Sequence, residues 1–204
     1  MATMMNSTVF GTVVPHKNPT ILRPLPCSLE ELFCGKVKNY THEKKIYDSS
    51  GKTFTVHKST LQIYLKPGWK AGTKITFPKE GDVIPNIEPA DLEIVIEEEP
   101  HPLFMRENNN LILRKNISLL QALVGFSFSV PYLDGSEFAV DVESLTFPLT
   151  PKVVQGKGYL SQRDGSAGNL VIFFNILWPK VLTEEQKSIL KKGPLSECEY
   201  LGLL

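Results

Sequence analysis

Apolar and polar residues alternate in short runs along much of the chain, and this period of two predicts β-strands. Leu61, Ile63 and Leu65 form one such run, and Leu92, Ile94 and Ile96 form another. Turn signals rich in glycine, proline and aspartate separate the runs, as at Pro67-Gly68 and Glu80-Gly81-Asp82. The pattern therefore predicts a mostly β fold built from short strands.

Two segments carry helix signals instead. Ser28 precedes an apolar run and has Glu31 three residues later, which is the pattern of a capping box, and Gly35 follows as a stop. Near the end, Thr183 and Gln186 have the same spacing before a run that reaches Lys192. We predict a short helix at each of these positions.

Three landmarks occur twice in the same order. Residues 28–35 match 118–125, residues 76–81 match 153–158, and residues 90–94 match 168–172. The offset is 90 at the first landmark, 77 at the second and 78 at the third. This indicates two tandem modules. The first has about a dozen extra residues, which we assign to a hairpin around Asp48–Lys58.

Composition narrows the class of partner and compartment. The 204 residues have a formal net charge of zero, which gives no reason to expect nucleic acid or a membrane surface as a partner. The three cysteines fit neither a disulfide framework nor a zinc site, which favours the cytosol. Residues 1–26 contain four prolines within twelve residues, and we expect a flexible tail there without an inner strand.

Residues that could perform catalysis are not arranged in any recognisable motif. The four histidines have no metal-ligand spacing, and the sequence contains neither a nucleophile elbow nor a phosphate-binding glycine loop. We therefore expect a binding protein that is not an enzyme and needs no cofactor or metal.

The run Leu65-Lys66-Pro67-Gly68-Trp69-Lys70-Ala71-Gly72-Thr73-Lys74-Ile75-Thr76-Phe77 carries a specific resemblance. Together with His101-Pro102-Leu103-Phe104, Leu133-Asp134-Gly135 and Gly168-Asn169-Leu170, it resembles the C-terminal region of zinc-free DnaJ-type co-chaperones, over roughly residues 28–192. The resemblance implies two β-sandwich-like domains, at 27–104 and 105–180. A C-terminal dimerisation helix and tail would follow at 181–204, making the protein a homodimer.

Such co-chaperones usually begin with a J domain, whose His-Pro-Asp tripeptide stimulates the ATPase of the seventy-kilodalton heat-shock chaperone. Here Leu103 follows His101-Pro102, and the cysteine repeats of the zinc-binding class are absent. If the chain is complete, the resemblance implies a module that holds unfolded peptide segments without stimulating that ATPase.

The resemblance also places a peptide-binding groove on the first module. Lys38 corresponds to a lysine that pairs with the acidic C-terminal tail of the seventy-kilodalton chaperone, and Lys58 corresponds to a second one. Tyr40 and Ile94 fall at apolar groove positions, and His42 replaces an aliphatic residue, which makes this groove more polar. An extended peptide would add as a strand to the sheet edge. Ile94 fits sheet packing better than a groove, whereas Lys38 and Tyr40 fit either interpretation.

For the helix at 183–192, Leu182, Ile189 and Leu190 form an apolar stripe that we assign to dimerisation. A second function stays open. Arg106–Leu111 resembles a paralogue of ciliary and flagellar axonemes. The alternative is therefore a structural or scaffold subunit, located in a cilium or sperm flagellum rather than free in the cytosol.

Overall fold

A computed structural model describes residues 19–143, 150–162 and 165–192. It is mostly β, as the strand pattern predicts, and a short helix lies at the C-terminal end of the described chain. The described residues group into two compact units. The first unit comprises those of Met1–Pro102 and Tyr159–Ser166, and the second comprises those of Leu103–Gly158 and Ala167–Leu204.

The first unit consists of five strands and one helix within its described residues. In chain order these are β1 (Ile21–Cys27), α1 (Leu29–Cys34), β2 (Lys36–Tyr47), β3 (Phe54–Leu65), β4 (Lys74–Phe77) and β5 (Leu92–Glu98). One sheet has the order β1-β5-β4, and β2 and β3 form a separate antiparallel hairpin. Leu92, Ile94 and Ile96 of the central strand β5 are buried in the core.

Strand β1 lies in the segment predicted as the tail 1–26. It pairs in parallel with β5, from Ile21 opposite Leu92 onward. The Ile21 amide donates to the Asp91 carbonyl, so the backbone of the even-numbered residues faces away from β5. Pro24 and Pro26 therefore cost no hydrogen bond in this pairing, which is why an edge strand tolerates them. Residues 1–18 of the predicted tail lie outside the described residues.

The second unit repeats this plan. Its elements are β6 (Phe104–Glu107), β7 (Asn110–Ser118), α2 (Leu119–Val124), β8 (Phe126–Pro131), β9 (Glu137–Val142), β10 (Lys152–Val154), β11 (Leu170–Leu177) and α3 (Glu184–Lys192). One sheet has the order β10-β11-β7-β6, and β8 and β9 form an antiparallel hairpin. Thr183 and Gln186 make the predicted capping box before α3.

The backbone confirms the duplication that the landmarks predict. Leu111 lies opposite Leu170 in the parallel pair β7–β11, as Ile21 lies opposite Leu92 in β1–β5. Both α1 and α2 begin with a capping box, at Ser28 and at Ser118. The strands of the first hairpin have 12 residues each and those of the second have 6 each, which accounts for the extra residues in the first copy.

The copies differ at one sheet edge. In the second unit, β6 pairs with the outer edge of β7. In the first unit, no strand among the described residues pairs with the outer edge of the equivalent strand β1. Within the described residues, the outer edge of β1 is therefore open, whereas the equivalent edge of β7 is covered by β6.

The segment Tyr159–Ser166 belongs to the first unit although it follows β10 in the chain. Tyr159 is fully buried, and its hydroxyl donates to the Leu29 carbonyl at 2.6 Å. Gly68 has a φ of +85°, and a Cβ there would lie 2.5 Å from the Leu160 carbonyl oxygen. Glycine at position 68 is therefore needed both for its backbone conformation and for this close approach.

Candidate functional site

A cleft of about 500 Å³ lies within the first unit, between the start of β1 and strand β2, and we call it the β1–β2 cleft. Its walls come from β1, β2, β3, β5 and the segment before β5. The lining residues are Ile21, Arg23, Tyr40, His42, Glu43, Lys45, Val56, Glu80, Gly81, Asp82 and Leu92. Polar and charged side chains line much of this cleft.

Strand geometry explains which predicted site residues come together. Side chains alternate between the two faces of a strand, so Lys38, Tyr40 and His42 share one face of β2. This is the partly buried face, and the Tyr40 and His42 rings stack with centroids 6.4 Å apart. Lys58 lies opposite Glu43 in the hairpin, on the other face, and its ammonium is 3.5 Å from the Glu43 carboxylate.

Ile94 does not lie on the surface of the cleft. Its side chain has 0% exposure and lies on β5, the central strand of its sheet. The side chain is therefore part of the core and not of the cleft surface.

Lys38 is held by groups of the same unit. Its ammonium donates to the Glu31 carboxylate at 2.7 Å and to the Pro26 carbonyl at 2.8 Å. Lys36 also donates to Glu31, at 3.0 Å. Partial burial would raise the pKa of the Glu31 carboxyl, but the hydrogen bonds from Lys38 and Lys36 outweigh it and lower the pKa. An incoming acid must therefore compete with Glu31 for Lys38.

His42 is anchored to the segment that precedes β5. Its Nε2 lies 2.9 Å from the Glu80 carbonyl oxygen, and this assigns the ring proton to Nε2 because a carbonyl can only accept. The Glu80 carboxylate accepts from Lys44 at 3.1 Å. Burial would raise the pKa of Glu80, but Lys44 and the neighbouring donors lower it. The Nδ1 of His42 is buried and has no hydrogen-bond partner among the described residues.

The outer edge of β2 is only partly covered. The Lys45 amide donates to the Asp82 carboxylate at 2.8 Å, and the Tyr47 amide donates to the Val83 carbonyl at 2.9 Å. The backbone of odd-numbered residues therefore faces away from β3. By the same alternation the Asn39 and Thr41 amides face outward, and neither has a backbone partner among the described residues. This stretch of β2 can accept another strand.

Sequence reasoning missed Arg23, Glu80 and Asp82 as cleft residues. Arg23 lies in the proline-rich segment 1–26, whose composition predicts a tail and not a strand. The sequence predicts only a turn at Glu80-Gly81-Asp82. The repeat itself contained a signal for the strand, because the offset of 90 aligns β1 with the apolar run Leu111–Leu113.

In the second unit, an apolar groove of about 410 Å³ lies beside α2 and α3, and we call it the α2–α3 groove. Two of the three predicted dimerisation residues, Leu182 and Leu190, line it. The remaining residues that line the groove are Ser118, Leu119, Leu120, Leu123, Leu177 and Pro179. Ile189 does not line the groove, and its side chain is 69% exposed.

Among the described residues, no group of three histidine, cysteine, aspartate or glutamate side chains is placed to hold a metal ion. None of the helices in the same part of the chain has the length and apolar character needed to cross a bilayer.

Comparison with known proteins gives consistent matches. The family model described as the DnaJ C terminal domain matches residues 21–179. The chain is 37% identical over 187 residues to DnaJ homolog subfamily B member 13 of Homo sapiens, which covers 91% of this chain and 59% of that protein. It is 38% identical over 175 residues to Protein psi1 of Schizosaccharomyces pombe, covering 85% and 46%.

A third relative, DnaJ protein homolog 1 of Drosophila melanogaster, is 40% identical over 169 residues, covering 82% of this chain and 50% of that protein. The chain thus spans about half the length of the curated relatives it matches. The family match covers both units, including the paired strands β1–β5 and β7–β11. The chain belongs to the DnaJ C-terminal domain family, the client-binding part of DnaJ-type co-chaperones.

Proposed function

We propose that the first unit holds extended segments of unfolded proteins by strand addition to the outer edge of β2. The observation that carries this proposal is the edge at Asn39 and Thr41, beside the β1–β2 cleft, where the outward amides have no backbone partner in the described part of the chain. Main-chain hydrogen bonds would supply affinity for many sequences, and the cleft would accept alternate side chains of the added strand. Tyr40 offers an aromatic surface for those side chains.

The proposal is tested with Asn39→Pro, which removes an outward amide without removing a β2–β3 hydrogen bond. Asn39→Ala is the matched control, because it removes the same side chain and keeps the amide. We expect Asn39→Pro to weaken binding of a fluorescent leucine-rich peptide at least tenfold, because it removes about one main-chain hydrogen bond and the proline ring blocks the approach of the added strand. Asn39→Ala should leave binding nearly unchanged. Equal binding by both variants would overturn strand addition at β2.

A more specific proposal concerns the acidic C-terminal tail of the seventy-kilodalton heat-shock chaperone. Lys38 is the candidate contact on the cleft face of β2, and the tail would have to displace Glu31 from it. Lys58 lies on the opposite face of the hairpin and pairs with Glu43, so the tail would have to displace that carboxylate as well. Because the sequence has no His-Pro-Asp tripeptide, we expect this chain by itself to bind the tail without stimulating the ATPase.

Homodimerisation through α3 is a further proposal. The apolar α2–α3 groove and the exposed Ile189 together provide a surface for a second copy. We expect Ile189→Glu to lower the sedimentation mass at micromolar concentration, and Lys187→Glu on the same helix to leave it unchanged. A wild-type chain that stays monomeric at high concentration would exclude the dimer.

A structural subunit of a ciliary or flagellar assembly is the second candidate. Its support is that polar side chains of β2 are already bound within the first unit. Glu31 forms an ion pair with Lys38, and the Glu80 carbonyl accepts a hydrogen bond from His42. A module with reduced client binding would then be retained as a scaffold. Imaging of a tagged chain in ciliated cells separates the two functions, because axonemal localisation favours the scaffold and diffuse cytosolic signal favours client holding.

A further inference from the structure

We propose that Arg23 is a specificity-determining residue of the β1–β2 cleft, and that it selects a carboxylate in the bound peptide. The inference rests on the proposed function, because it assumes that an extended peptide occupies this cleft. It specifies that one group of the bound peptide is a carboxylate and that Arg23 recognises it. Neither Lys38 nor Lys58 is required for this recognition.

The charged side chains that line the cleft differ in whether they already have a partner. All of them except one have a partner among the described residues. Glu43 pairs with Lys58, and Glu80 pairs with Lys44. The Lys45 ammonium lies over the Phe54 ring, and the Asp82 carboxylate accepts a hydrogen bond from the Lys45 amide. No ion pair or hydrogen bond joins the Arg23 guanidinium to any of the described residues. Arg23 is thus the charge left for a ligand, and that ligand group must be an anion.

The second argument comes from the duplicated module. Arg23 lies opposite Ile94 on β1, and Leu113 lies at the equivalent position of β7, opposite Ile172. Leu113 is only 6% exposed, and Phe104 of β6 lies directly across from it. The second unit thus fills the neighbouring position with its own apolar strand. The first unit has an exposed arginine there and no neighbouring strand among the described residues.

The third argument is that Lys38 is already neutralised. Its ammonium is 2.7 Å from the Glu31 carboxylate and is also bound by the Pro26 carbonyl. A ligand carboxylate gains little there unless Glu31 withdraws. No carboxylate of the described residues pairs with the Arg23 guanidinium, and its planar fork can donate two parallel hydrogen bonds to one carboxylate.

The competing explanation is that Arg23 only guards the β1 edge against pairing with other chains. That role predicts self-association when the charge is removed and no effect on peptide choice. Another occupant of the edge, a second copy of this chain, would appear as a dimer that Arg23→Gln changes in the absence of any peptide.

The test uses short leucine-rich peptides, labelled with fluorescein and amidated at the C-terminus, that differ only in one central residue, glutamate or glutamine. A third peptide has the glutamine and a free C-terminal carboxylate, which separates side-chain from terminal recognition. Fluorescence anisotropy is measured with the whole chain, the Arg23→Gln variant and the Lys66→Gln variant. Lys66→Gln is the matched control, because it removes one exposed positive charge of the first unit that does not line the cleft.

We expect the wild-type chain to prefer a carboxylate peptide to the neutral peptide by about fivefold, the size of one partly exposed ion pair. Arg23→Gln should abolish this preference and leave the affinity for the neutral peptide unchanged. Lys66→Gln should keep the preference. Arg23→Glu with a central lysine in the peptide should restore tight binding, which no general loss of folding would produce.

Several results would overturn the inference. If the preference survives in Arg23→Gln, or disappears equally in Lys66→Gln, another residue or the overall charge recognises the acid. If Arg23→Gln changes only self-association, the residue is an edge guard. If none of the three peptides binds while a denatured client protein is still held, the inference fails and the proposed function stands. If neither peptide nor client binds, both fail.

Discussion

Glu31 shows how one residue can serve folding and limit binding. It occupies the N3 position of α1, where its carboxylate accepts from the Ser28 amide and the capping box is complete. The same carboxylate holds Lys38 and Lys36. In the second unit, Gln121 makes the equivalent capping box without a charge. The cap therefore does not need a carboxylate, and the charge of Glu31 is separable from its role in the helix.

Glu31→Gln should free Lys38 while keeping the capping box, as Gln121 does. We expect affinity for an acidic tail peptide to rise about threefold, because the Glu31 carboxylate no longer competes with the peptide for Lys38 and one exposed ion pair has about this strength. Anisotropy titrations check this. Glu30→Gln is the control, because Glu30 contacts His101 instead. If the gain persists when Lys38→Gln is added, Lys38 is not the contact.

Tyr159 is the second residue with a separable role. Its buried hydroxyl donates to the Leu29 carbonyl, and its ring meets Phe33 edge to face at a centroid distance of 5.5 Å. Tyr159→Phe removes only the hydroxyl. We expect the first unit to lose about 1 kcal/mol of unfolding free energy, the usual net value of one hydrogen bond.

The measurement is urea unfolding followed by Trp69 fluorescence in a Trp178→Phe background, since the chain has two tryptophans. Trp69 belongs to the first unit and Trp178 to the second. Tyr132→Phe removes a longer hydroxyl bond, 3.3 Å, in the second unit and should leave the Trp69 transition in place. An unchanged transition in Tyr159→Phe would show that the buried hydroxyl does not stabilise this unit.

At the scale of elements, the long hairpin β2–β3 depends on a charged turn. The Asp48 carboxylate accepts from the Thr53 hydroxyl at 2.7 Å, and from the Ser50 amide and hydroxyl. These hydrogen bonds lower the pKa of Asp48 to about 2. In the shorter hairpin, Asp134 accepts from Ser136 in the same way, and its pKa is also lowered. Both turns are therefore acid-sensitive by the same mechanism.

Because the folded pKa of Asp48 is depressed, its contribution to the turn is fully present above the ordinary carboxyl pKa of about 4. It is lost as the pH falls from there toward 2. We expect the Asp48 carboxyl carbon shift to titrate with a midpoint near pH 2. Asp48→Asn should remove the pH dependence of the Ser50 and Thr53 amide shifts. A midpoint close to 4 would contradict the hydrogen-bonded turn.

The elements also show where sequence reasoning succeeds and where it stops. Strands β3 and β5 follow from alternation, and α1 follows from its capping box, because these signals are local. Strand β1 was missed because its stability comes from a parallel partner about 70 residues away in sequence, a separation that no local pattern reveals. The complete burial of Ile94 agrees with the sheet packing that its alternating run favours.

At the scale of the molecule, the duplication supplies an internal comparison. Each unit has a parallel pair, a helix with a capping box and a hairpin, yet within the described residues only the second has a strand, β6, on its outer edge. The offsets of 90 and 78, taken from the first and third landmarks, match the registers of the two parallel pairs. The landmarks do not predict the difference at the outer edge, because it depends on the pairing of β6 with β7.

Amide hydrogen exchange with and without a saturating leucine-rich peptide tests most directly whether a peptide adds to the outer edge of β2. We expect the Asn39 and Thr41 amides to become strongly protected, while the Lys45 amide, already bonded to Asp82, changes little. Unchanged exchange at Asn39 and Thr41 in the presence of bound peptide would contradict it.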